Sequence, residues 1–264
     1  MKKPLYSLLV AALFSLGSLC AHGAEAAAQA IILKVQGTVQ SVAEGQAPVA
    51  LKVGDKLPQG ATIQTGADSL VAVQAFNGAV ALITANSKVN LEKLSVTASG
   101  GVVTKQTALL NLKVGGIISY IDPANHDIND YAIRTPQGVA AARGTVFIVG
   151  VNSSGFAMLI VKDSAVTFTN SAGQSVTVHP GETVTVNPST GEISVPRLTT
   201  PGDEILYTQT RIVDELMRSM SQFTHQPSTN RTATIDATTT PTATGIPGID
   251  VSIPNTTDEQ SQSN

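Results

Sequence analysis

The chain has 264 residues, 42% hydrophobic and 13% charged, with a net charge of −3 and no tryptophan. A near-neutral balance without a lysine- or arginine-rich cluster excludes a nucleic-acid binder, which needs a basic face to neutralise phosphates. With aromatics at only 4%, the core is expected to rest on Val, Ile, Leu and Ala, and the Gly- and Thr-rich composition points to short strands and tight turns.

Residues 1–26 read as a secretory signal peptide. Lys2 and Lys3 precede the apolar run Leu5–Leu19, and small residues offer cleavage after Gly23 or after Ala26. The run is shorter than the ~20 residues that span a bilayer, so a retained anchor is the lesser reading. Cys20 suggests lipidation, but Leu19 places a bulky residue where a lipobox has a small one. Either soluble cleavage frame leaves a mature chain without cysteine, and hence without disulfides or thiolate metal sites.

Residues 31–198 predict an all-β domain of short strands, forming a sandwich, a roll or a short β-coil. Ile31–Val42 carries strand formers around Gly37, and Glu44-Gly45-Gln46 marks a turn. Leu51–Leu57 and Ala61–Thr65 follow, and Leu70–Phe76 leads through Asn77-Gly78 into Ala79–Ile83, the clearest hairpin signal in the chain. Val89–Leu94 completes the first half. Leu109–Ile121 favours strand, turn, strand around Gly115-Gly116, because β-branched Ile117, Ile118 and Ile121 oppose a helix. Asp122–Asp130 is a polar loop. Tyr131–Thr135, Val139–Ala142, Thr145–Val151, Met158–Val161, Ala165–Thr169, Ser175–Val178 and Thr183–Val186 then alternate with turns at Pro136–Gly138, Lys162-Asp163, Ser171–Gly173 and Pro180-Gly181. Residues 63–72 weakly echo 133–141, as two similar layers or coils would.

Beyond Arg197 the pattern changes. Asp203–Phe223 has helical spacing, with Ile205, Ile212, Leu216, Met220 and Phe223 on one side and acidic residues at its start. This amphipathic helix is expected either to cover the β-domain or to dock a partner, with Ile212, Leu216, Met220 and Phe223 as a possible interface. Residues 225–264 form a Thr-, Ser- and Pro-rich tail expected to be disordered.

Arg143-Gly144-Thr145-Val146-Phe147 resembles the core motif of FecR-type domains. Val53-Gly54-Asp55, Ile63–Gly66, Asn77-Gly78 followed by Leu82, Ile133–Pro136 and Pro180-Gly181-Glu182 extend the resemblance over roughly residues 34–195. It implies a β-rich extracytoplasmic module engaged in protein interaction, surface assembly or ligand sensing, with no catalytic residues to carry over. The regulators of that family also have a cytoplasmic segment and a membrane span. Neither is read in this sequence, so direct control of transcription is not expected.

Arg143 is expected to tie neighbouring turns through carbonyls or an acid, with Gly144 allowing close approach and Thr145 and Phe147 in strand or core. On that reading Arg143→Ala lowers the thermal midpoint. Asn125–Asp130 offers alternating oxygen ligands, but Asp130 and Pro136 fall where an EF-hand loop needs glycine and glutamate. His126, His179 and His225 lack zinc spacing, and no serine lies in a Gly-x-Ser-x-Gly elbow. The reading is a non-enzymatic protein or polysaccharide interaction module of the periplasm or cell exterior, without cofactor or metal. The alternative is a self-associating component of the cell surface or extracellular matrix.

Overall fold

A computed structural model describes residues 24–43, 45–200 and Asp203. The predicted helix 203–223, apart from Asp203, the tail 225–264 and residues 1–23 of the leader lie outside them. Eighteen strands account for most of the described chain. They are β1 (Ala24–Ala27), β2 (Gln29–Gln36), β3 (Val39–Val42), β4 (Val49–Ala50), β5 (Lys56–Pro58), β6 (Thr62–Thr65), β7 (Leu70–Phe76), β8 (Ala79–Ile83) and β9 (Lys88–Ser99). After β10 (Val102–Ile121) and a 3₁₀ turn at Pro123–Asn125 come β11 (Asn129–Thr135), β12 (Gly138–Ala142), β13 (Val146–Val151), β14 (Ala157–Val161), β15 (Val166–Asn170), β16 (Ser175–Val178), β17 (Glu182–Val186) and β18 (Arg197–Leu198).

The strands form two sheets that share β10. Sheet A runs β4-β3-β6-β9-β10-β11-β12-β15-β16, with β1 also on β9. Sheet B runs β5-β2-β7-β8-β10-β13-β14-β17-β18. All pairings are antiparallel except β10–β11. No pairing among the described residues joins one edge of a sheet to the other, so both stay open. The result is a sandwich in which the chain changes sheet every strand or two, and the parallel β10–β11 contact is one coil-like turn.

Between the sheets lies the expected aliphatic core. Ile63, Val89, Leu91, Leu94, Leu110 and Leu112 from sheet A face Ile32, Val71, Val73, Ile83, Ile117 and Leu159 from sheet B. Burying each such side chain stabilises the fold by roughly 1.5–3 kcal/mol. Tyr131 stands between Phe76 and Phe147, edge-on to both, with centroids 6.3 and 6.1 Å away. Its hydroxyl shares a 2.9 Å hydrogen bond with the buried Ser119 hydroxyl. Burial pushes the Tyr131 phenol well above its usual range, against the Ser119 bond.

Gly115-Gly116 differs from expectation. The strand pairing is not interrupted there; β10 is one strand of 20 residues that bends at Gly115 and passes from sheet A to sheet B, so that Gln106 and Asp122 come to the same end. Gly115 has φ +98°, and a Cβ would lie 2.5 Å from Ser87 Cα. The backbone groups at the crossing are met by side chains and neighbouring strands. Gly116 N donates to Ser87 Oγ at 3.0 Å, and Thr84 N donates to Gly116 O at 3.0 Å. Thr65 Oγ1 in turn donates to Thr84 O at 2.6 Å and accepts from Ser87 N at 2.9 Å.

The weak echo of 63–72 in 133–141 does not correspond to a structural repeat. β6 leads across to sheet B at β7, whereas β11 and β12 form a hairpin within sheet A. The shared threonines do have parallel tasks: Thr135 Oγ1, like Thr65 Oγ1, bonds backbone where its strand ends.

Gly115→Ala is expected to lower unfolding free energy by about 2 kcal/mol or more, because it adds a clash to a left-handed backbone. Urea denaturation of the purified domain measures this, and an unchanged midpoint would contradict the crossing geometry.

Candidate interaction surface

The predicted motif residues meet at one end of the sandwich. Ile121 N donates to Thr145 O at 2.9 Å, closing sheet B there, and Thr145 is buried. Gly144 packs so closely on Pro123 that a Cβ would lie 2.6 Å from its Cα. Phe147 enters the core beside Tyr131. Gly144, Thr145 and Phe147 therefore join the β12–β13 turn to the 122–128 loop. Arg143 differs from expectation: its side chain is exposed and bonds no described residue, so its guanidinium does not tie the turns together.

Two other turns gather at this end. Asp122 N donates to Gly78 O at 2.7 Å, fixing the Asn77-Gly78 hairpin against the loop. Gln106 Nε2 reaches Asn77 O at 3.4 Å and Asn129 Oδ1 at 3.3 Å. Within the loop, Asp122 Oδ1 accepts from Ala124 N, His126 Nδ1 bonds Pro123 O, and Asn129 Nδ2 donates to Asp122 O. These loop groups are committed to holding backbone. Lys105 pairs with Asp130 at 2.9 Å, with both side chains about half exposed.

From this end projects an arm that the sequence reading missed. β9 and β10 continue as a hairpin to Gly100-Gly101, both with positive φ. β1 flanks β9 along Ser95–Ala98. Glu25 there binds Lys93 at 3.1 Å, and Ser95 together with Lys93 holds the Glu25 carboxyl below its usual range. On the opposite side, β11 first pairs at Gln106. Val102–Lys105 therefore has a backbone edge that no described strand occupies. Val102 is 42% exposed, an uncommon state for valine in a strand. The paired glycines at 100–101 were the signal available for this hairpin.

Other candidates are spent on structure or lie apart. His179 is a turn residue: its N–H donates to Glu182 Oε2 at 2.8 Å, and its carbonyl accepts from Glu182 N. No hydrogen bond or ion pair among the described residues links it to His126, which sits in the 122–128 loop. An open depression beside β3, β4 and β5 is lined by Ser41, Gln46, Val49, Asp55 and Lys56, with no histidine or cysteine in its wall. His225 and the helix positions Ile212, Leu216, Met220 and Phe223 fall outside the described residues.

The FecR-type resemblance holds across the middle of the fold. The family model described as FecR protein matches residues 61–167, from β6 into β15, a narrower span than the sequence motifs suggested. Two crystal structures of a candidate anti-sigma factor from Parabacteroides distasonis are similar at 15% identity, with TM-scores of 0.45 and 0.44. The likeness covers 56% of this chain and 64% and 63% of theirs, so the chain spans less than two thirds of those proteins. No curated protein matches.

Two substitutions separate the parts of this end. Arg143→Ala is expected to change unfolding free energy by no more than about 0.5 kcal/mol, as for other unpartnered surface residues. Tyr131→Phe is expected to cost about 1 kcal/mol by leaving Ser119 without its partner. Parallel thermal melts would test both.

Proposed function

We propose that this protein is a non-enzymatic recognition module acting outside the cytoplasm. It takes an extended segment of an envelope or extracellular protein and adds it as a strand beside Val102–Lys105. The observation that carries the reading is the unoccupied edge of the projecting β9–β10 arm. Such an edge offers a row of N–H and C=O groups, so a partner gains affinity from main-chain bonds and specificity from alternate side chains. The exposed side chains of Arg143, His126 and Asp127, at the same end as the base of the arm, would select among partners. The FecR match supports an extracytoplasmic setting, as does the signal-like leader. A protein segment suits the surface better than polysaccharide. Sugar rings favour aromatic platforms, and among the described residues Phe156 is the one exposed large aromatic, away from the arm.

Shortening the arm tests this reading. Replacing residues 97–104 by an Asn-Gly turn keeps the sandwich and removes the edge. Photo-crosslinking from Val102 in native cells is expected to yield one defined heterologous product. Affinity of that partner for the shortened chain should fall at least about tenfold, or 1.4 kcal/mol. Undiminished binding would overturn the proposal. Crosslinks only between copies of this chain, growing with concentration, would favour the self-associating structural reading.

β1 supports one of the two cleavage frames. Cleavage after Gly23 keeps β1 whole, whereas cleavage after Ala26 removes Glu25 and its bond to Lys93. The exported protein is expected to begin at Ala24, and a mature mass beginning at Ala27 would contradict this.

A further inference from the structure

The outer faces of the two sheets are unlike. On sheet A, Lys88, Asn90, Glu92, Asn111, Arg134, Thr167 and Thr169 face outward, and Glu92 binds both Arg134 and Asn111. The outer face of sheet B is apolar. Leu70, Ala72, Val80, Leu82, Ile118, Ile148 and Ile160 form a second cluster, separate from the core, with Leu33, Tyr120 and Met158 packed against it.

This cluster is sealed from water. Leu82, Ile118 and Ile160 have 0% of their surface exposed and Ile148 has 1%. Side chains stand roughly perpendicular to a sheet, so a leucine or isoleucine under open water keeps much of its surface wet. Yet every residue of the cluster, and every residue packed against it, belongs to sheet B. Something outside the described residues covers it.

The path of the chain names the cover. A direct cross-strand row runs Ala72, Leu82, Ile118, Ile148, Ile160, Thr183, Arg197. Thr183 is fully buried and bonds Thr199 at 2.9 Å. Arg197, at the end of the row, grips Asp203 through two hydrogen bonds of 2.8 and 3.1 Å. The guanidinium beside Asp203 holds its carboxyl well below the usual carboxylate range. Thr199 and Asp203 thus lie on the outer side of sheet B.

Thr200 and Asp203 are also bonded to each other. Asp203 Oδ2 accepts from Thr200 N at 2.8 Å, and Asp203 N donates to Thr200 O at 2.8 Å. Thr200 Oγ1 donates to Asp203 Oδ2 at 2.8 Å. The order Thr200, Pro201, Asp203 follows the preference for threonine just before a helix, proline at its first position and an acid in its first turn. About 20 residues with helical spacing follow, enough for a helix ~30 Å long. From Thr183 to Ala72 the row crosses five strand spacings, ~24 Å. Length, point of departure and apolar spacing agree.

We propose that residues 203–223 form a helix whose Ile212, Leu216, Met220 and Phe223 side lies on the outer face of sheet B, making a third layer. This covering goes beyond recognition by the arm and does not depend on it.

Cysteine scanning of the full exported chain tests it. Met158→Cys at the rim of the cluster is combined, one at a time, with cysteine at each position from 205 to 223, and each protein is oxidised when dilute. Intrachain disulfides recurring every three to four positions, in protein of monomer mass, are expected. Disulfides only between chains would show that a second copy is the cover and overturn the proposal, as would disulfides without periodicity or none at all. A second variant, Leu216→Asp with Met220→Asp, is expected to raise binding of a hydrophobic dye several-fold while keeping the β-sheet circular dichroism. Unchanged dye binding would equally overturn it.

Discussion

The fold depends on the passage of β10 from one sheet to the other. A strand that leaves its ladder inside a protein strands polar backbone groups where water cannot reach, a loss of ~1–3 kcal/mol for each group left unpaired. Here Ser87 and Thr84 supply the replacement bonds at Gly116, and Thr65 holds both of them in position. Gly115 supplies the left-handed backbone and the space against Ser87. Four small residues from three places in the sequence thereby allow a single strand to belong to two sheets.

Both ends of that same strand meet at the proposed site. Ile121 closes on Thr145, the 122–128 loop packs under Gly144, and Gln106 anchors the arm to the Asn77 turn. The residues most characteristic of the FecR motif therefore act as joinery. They hold three turns and the base of the arm together, and Arg143 is left exposed on that platform.

Local signals were legible in the sequence and long-range ones were not. Asn77-Gly78 announces its hairpin because a two-residue turn needs those backbone angles, and Ser175–Val178 reads as a strand from its own composition. Gly115-Gly116 reads as punctuation, but whether a chain turns or changes sheet depends on Ser87, about 30 residues away and without a pattern of its own. The arm was missed for a related reason. Ser95–Lys105 is polar and only half-buried, so it lacks the apolar alternation by which strands are recognised. Arg143 looked like a structural tie because arginine beside glycine often is one; exposure is a property of the assembled turns.

The pairing pattern has one more result. Strands β2–β9 and strands β11–β18 exchange no backbone pairing with each other; each group reaches the other through β10. As the chain is made from its amino end, the leading half therefore has an unfinished edge on both sheets until residues 102–121 join it. The trailing half can then grow outward hairpin by hairpin on an existing template. Until then the apolar β8 lacks its β10 neighbour.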